Sequence, residues 1–97
     1  MRVILLAAAL AAAYSVHAQE NARNLASACA ICHGTQGVPP PGAPVVPLAG
    51  MPREHIATQM RAFRDGQRPA TVMHQIAKGY TDAQIDAMAA WFATQKR

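Results

Sequence analysis

Both cysteines of this 97-residue chain, Cys29 and Cys32, fall within one turn, and His33 follows directly. Two thiols this close cannot tie distant segments together, so no disulfide framework stands behind the fold. Two cysteines are also too few for a four-cysteine zinc or iron–sulfur site. The front end thins the chain further, because residues 1–18 hold 15 of its apolar residues and read as an export signal. That leaves 79 positions, a size at which an apolar core alone is marginal and a filler or staple is expected.

The export reading rests on order. Met1-Arg2 is a short positive start, Val3 to Tyr14 carries no charge, and Val16-His17-Ala18 offers a cleavage site before Gln19. The uncharged run from Val3 to the cleavage site at Ala18 is sixteen residues, short of the ~20 that span a bilayer. We therefore expect a cleaved signal peptide over residues 1–18, a single domain over 19–97, a periplasmic location and no membrane insertion. Without Arg2, eight Lys and Arg face five Asp and Glu, with no basic block, which argues against nucleic-acid binding.

Periodicity predicts an all-α domain with three main helices, long loops and no strand. Residues 20–32 are alanine-rich and free of Pro and Gly, which suits a first helix. Pro39, Pro40, Pro41, Pro44 and Pro47 then exclude a helix and a central strand, so residues 34–50 read as an irregular loop. A loop that long in so small a domain implies something other than protein to pack against. Pro52 suits the first position of a helix running to Gly66, with Ile56, Met60 and Phe63 on its apolar face. Arg53, Arg61 and Arg64 lie within about 80° of one another beside that face, as a solvated stripe or a docking surface for an acidic partner. A short helical turn is expected around His74 to Lys78. Thr81 with Gln84 forms a capping box before the stripe Ile85, Met88, Ala89 and Phe92. Asp82 and Asp86 read as favourable charges near that helix's N-terminus.

Cys29-Ala-Ile-Cys32-His33 is the pattern of covalent haem c attachment. Two thiols on one turn can each add across a vinyl group of one porphyrin edge, and the adjacent imidazole reaches the iron as proximal ligand. A thioredoxin-like motif would need a strand before it, and a zinc site would need two further ligands, with only His55 and His74 remaining. One motif means one haem, which also supplies the missing core. For the sixth ligand the chain offers Met51, Met60, Met73, Met88, His55 and His74. Met60 and Met88 fall in apolar stripes, whereas Met73 lies between Pro69 and Gly79, where the chain can cross to the far haem face. Met73 is therefore the expected ligand, with His74 as competitor or as a solvent-facing or propionate-contacting side chain. A haem closed on both faces passes electrons and binds no substrate. A sensor or oxidase domain would require Met73 to leave the iron.

Residues 24–35, Leu48-Ala-Gly-Met51, Phe63-Arg-Asp-Gly66 and Ala89-Ala-Trp91-Phe92 resemble cytochrome c4-like class I domains. Thr71-Val-Met73-His-Gln-Ile-Ala-Lys78-Gly79-Tyr80 resembles the haem subunit of flavocytochrome c sulfide dehydrogenase. The resemblance implies a small class I cytochrome c fold, with Cys29 and Cys32 as thioether links and His33 and Met73 as axial ligands. It implies a heterodimer with a larger, FAD-bearing flavoprotein that oxidises sulfide beside a redox disulfide. Electrons would pass singly to this haem and on to a soluble cytochrome or other carrier. It also implies that a loop carbonyl accepts the His33 ring N–H, with Pro44 and Pro47 as candidates. A diffusible monohaem carrier is the alternative; an exposed apolar patch near the haem would favour the obligate partner.

Overall fold

The computed structural model describes residues 21–97, so the signal-peptide expectation for 1–18 lies outside the described residues. Five helical segments and no strand occur among the described residues. They are α1 (residues 21–27), α2 (Ala30–His33), α3 (Arg53–Arg64), α4 (Met73–Ala77) and α5 (Asp82–Ala93), with a 3-10 turn at Thr35–Gly37. The domain is all-α, as the periodicity predicts, and consistent with a small class I cytochrome c fold.

The first predicted helix is broken where the cysteines begin. The Cys29 amide donates to the Ala26 carbonyl at 3.1 Å, a tight three-residue closure, and Cys29 then accepts from the Cys32 and His33 amides at 3.3 and 2.8 Å. This restart places Cys32 and His33 on a short helix of their own, with Cys29 as its N-cap. Gly34 ends it at φ 86°, and a Cβ there would sit 2.0 Å from the Val38 carbonyl oxygen, so only glycine lets the chain double back.

Two pins hold the proline-rich loop. The Leu48 and Ala49 amides both donate to the Gly37 carbonyl, at 2.9 and 3.2 Å, and the Gly50 amide donates to the Phe92 carbonyl at 2.9 Å. Pro52 caps α3 in an extended conformation (ψ 132°) instead of opening it as the first helical residue, so the helix begins at Arg53. At the other end Gly66, at φ 76°, lets the Gln67 and Arg68 amides turn back to the Ala62 carbonyl.

The core is one cluster: Ala26, Ile56, Ala57, Met60, Ala77, Ile85, Met88, Ala89 and Phe92. Four of these are alanines, which lets α3 approach α4 and α5 closely but leaves little apolar volume inside. Of the larger side chains among the described residues, only Ile85 is fully buried. Leu25, Cys29, Leu48, Met51, Phe63, Met73, Tyr80 and Trp91 pack against the cluster half-buried. No helix among the described residues is long and apolar enough to cross a membrane.

Candidate functional site

The arrangement centres on α2. Both thiols are free, Cys29 half-buried against the core and Cys32 exposed. Burial pushes the Cys29 thiol above its ordinary pKa, with the neighbouring Cys32 adding to the rise against a backbone hydrogen bond that lowers it. His33 is half-buried, and its Nδ1 lies 2.8 Å from the Val46 carbonyl oxygen. A carbonyl only accepts, so Nδ1 donates, and in the neutral ring that tautomer leaves the Nε2 lone pair for a metal. The acceptor is thus Val46, and neither Pro44 nor Pro47. Pro47 acts one residue removed: its ring confines the preceding residue to extended conformations and so directs the Val46 carbonyl.

Met73 opens α4 and packs half-buried in the same shell as Cys29. Tyr80, just beyond α4, has its hydroxyl pKa raised first by burial and then by the charge of Cys29, which sets the α4–α5 connection within electrostatic reach of the attachment turn. Of the other methionines, Met60 and Met88 are buried in the core. Met51 lines a groove of about 520 Å³ with Val38, Pro39, Pro40, Val45 and Arg97, and none of Cys29, Cys32, His33 and Met73 lines it. His55 is exposed. His74 is not solvent-facing at its Nδ1, which is buried without a hydrogen-bond partner among the described residues.

The arginines of the stripe all pair with acidic side chains of the chain itself. Arg61 bonds Asp82 at 3.1 Å and Asp86 at 2.6 Å, and Arg64 bonds Asp82 at 2.8 Å and Asp65 at 3.0 Å. These cations are spent internally, tying α3 to α5, while Arg53 pairs with its neighbour Glu54. The acidic partners keep Arg61 and Arg64 protonated beyond their ordinary range, and hydrogen bonds from Arg61 and Arg64 hold Asp82 below its own.

The donor set fits a c-type haem. Two free thiols flank one turn, the neighbouring imidazole is oriented by its Nδ1 bond to the Val46 carbonyl, and a thioether stands in the half-buried shell packed on an alanine-rich core. An all-α domain built round such a turn is a c-type cytochrome. Residues 17–92 match the family model described as cytochrome c oxidase, cbb3-type, subunit III, and the chain belongs to that family of cytochrome c domains. Covalent haem c and an electron-transfer role come with that membership.

Similar proteins include the cytochrome subunit of sulfide dehydrogenase from Chlorobaculum tepidum, 41% identical over 69 residues, covering 70% of this chain and 60% of that one. The thiosulfate dehydrogenase electron acceptor of Thiomonas intermedia is 39% identical over 71 residues, covering 73% of this chain and 33% of its own length. Cytochrome c-554(548) of Halomonas halodenitrificans is 36% identical over 72 residues, covering 70% of this chain and 84% of that one. The chain thus spans between a third and three fifths of the length of these two dehydrogenase-linked relatives.

Proposed function

We propose that this chain is a periplasmic monohaem subunit that takes electrons from a sulfide-oxidising flavoprotein and passes them to a downstream cytochrome. In this reading residues 1–18 are the export signal, 19–97 the single haem domain, Cys29 and Cys32 the thioether links, and His33 and Met73 the axial ligands. The observation that carries the haem assignment is the His33–Val46 hydrogen bond, which fixes the tautomer a metal requires. When bound, the haem supplies a reversible one-electron iron couple. The chain's own residues orient the imidazole through Val46 and offer a polarisable sulfur at Met73, which packs against the apolar core.

The dehydrogenase assignment is supported by the sulfide dehydrogenase subunit among the relatives. It is also supported by exposed apolar side chains beside the site residues: Ile31 between the cysteines at 88% exposure, Val46 at 60%, and Val72 before Met73 at 55%. Such residues suit a lasting, apolar partner surface. FAD would belong to that partner. The diffusible carrier is the second reading, favoured by the match over 84% of cytochrome c-554(548). Gel filtration of the untagged protein from its native periplasm, followed by haem and flavin absorbance, separates the two. Co-elution of a flavin-bearing chain is the expected result; haem eluting alone at the size of a single chain would overturn the flavoprotein reading.

A further inference from the structure

The groove of about 520 Å³ beside the proline-rich loop lies apart from the attachment turn, since none of Cys29, Cys32, His33 and Met73 lines it. Its volume falls within the ~300–1,000 Å³ of ligand clefts. Val45, Pro47 and Ala49 line it while Val46 and Leu48 do not, so the segment that holds His33 turns alternate residues to the groove. Val38, Pro40 and Pro41 wall it further along, and residues 34–52 carry no charge. Pro40, Pro41 and Gly42 are exposed, and a Cβ on Gly42 would meet nothing within 4 Å, so the rim is open. A small molecule would stay wet in such a trough, whereas a chain laid along it brings its own cover. The prolines also fix the walls in advance, which lowers the ordering cost of binding.

Arg97 is the one charged residue that lines the groove. Its side chain crosses Gly50, where an added Cβ would meet its Cγ and Nε at 3.2 Å each. The acidic side chains of the described residues, Glu54, Asp65, Asp82 and Asp86, are each paired with Arg53, Arg61 or Arg64. Arg97 and the adjoining Lys96 thus have no carboxylate partner among the described residues, and a counter-charge has to come from another molecule.

We propose that this groove seats an apolar, carboxylate-bearing segment of a redox partner, and that its occupation is felt at His33 through Val46. Apolar side chains of that segment lie against the valines and prolines, and a carboxylate pairs with Arg97 and fixes the direction in which the chain lies. Val46 stands between two lining residues, Val45 and Pro47, and its carbonyl accepts from His33 Nδ1 at 2.8 Å. A segment packed on both neighbours restrains that carbonyl and firms its hold on the imidazole. The inference rests on the haem reading above and is independent of whether the partner carries flavin.

The test uses the haem-loaded protein, with haem first established by its pyridine haemochrome spectrum. Failure at that step would overturn the haem reading and the coupling to His33 together. A capped pentapeptide of alternating leucine and glutamate is then titrated into the ferrous protein and followed by nitrogen-15 NMR. The expected result is movement of the Val38, Val45, Ala49 and Met51 amides and of the Arg97 Nε–H, with the His33 Nδ1–H resonance shifting downfield in step. Arg97→Gln should weaken binding about three- to fivefold, the scale of one exposed ion pair, and Arg97→Lys should restore most of it. A leucine–lysine peptide should leave the groove amides in place. Shifts confined to other surfaces, or equal binding of the two peptides, would sink the docking site. Equal affinity of wild type and Arg97→Gln would do the same. A filled groove with an unmoved His33 Nδ1–H would overturn the coupling.

Discussion

His33 owes its usefulness to a backbone oxygen thirteen residues away. The Val46 carbonyl accepts the Nδ1 proton at 2.8 Å, and a firm acceptor there gives the ring partial imidazolate character, which makes it a more basic ligand and favours ferric iron. Replacing Pro47 by Gly should loosen Val46 and weaken that bond. The potential should then rise, measured by redox titration, with the attached-haem spectrum otherwise intact. Met73→Ala tests the opposite face. Losing the thioether should lower the potential and let the ferrous protein bind carbon monoxide; an unaltered spectrum and potential would assign the sixth position elsewhere. At this scale the sequence carried the chemistry of Cys29, Cys32 and His33, since adjacency alone identifies the attachment turn. It did not carry Val46, because a backbone carbonyl has no side-chain signature and the prolines beside it drew the expectation instead.

Helices α3 and α5 are held by two kinds of polar contact with different visibility. The capping box is local: the Gln84 amide donates to Thr81 Oγ1 at 3.2 Å, and the Thr81 amide donates to Gln84 Oε1 at 3.0 Å. Four consecutive residues announce it, and Thr81→Ala should cost about 1 kcal/mol in denaturant unfolding. The arginine–aspartate network joins residues 18 to 25 positions apart, beyond any periodicity. The stripe of Arg53, Arg61 and Arg64 was therefore legible as a pattern but ambiguous as to partner. Its pH dependence follows from Asp82, whose folded pKa lies below its ordinary 3.8. Above that value the paired carboxylate contributes its full stabilisation, and as pH falls through the lowered folded pKa the contribution is lost. Thermal melts of wild type and Asp82→Asn should differ at neutral pH and converge in acid.

On the scale of the whole molecule, the alanines at 26, 57, 77 and 89 set how tightly the helices close and how little they enclose. The long structureless loop already suggested a non-protein filler, and the small-residue core gives that suggestion a physical basis. A Cys29→Ala, Cys32→Ala double variant should therefore lose its cooperative thermal transition along with haem attachment, read by circular dichroism. A sharp melt from a haem-free chain would show that protein contacts suffice. The all-α class and helix order were legible because apolar stripes repeat at helical spacing. The break at Ala28–Cys29 was not, since alanine-rich sequence favours helix on either side of it.

The paired amides of Leu48 and Ala49 on the Gly37 carbonyl, with Gly50 anchored to Phe92, isolate the stretch between Gly37 and Val46 mechanically. Because the entropy of closing a loop grows only slowly with its length, residues can be added or removed there at small thermodynamic cost. Tinkering is confined to a tethered bight whose moorings keep the metal-facing machinery in register. A lineage exploring new partners has, in that bight, a region to rewrite without renegotiating the chemistry.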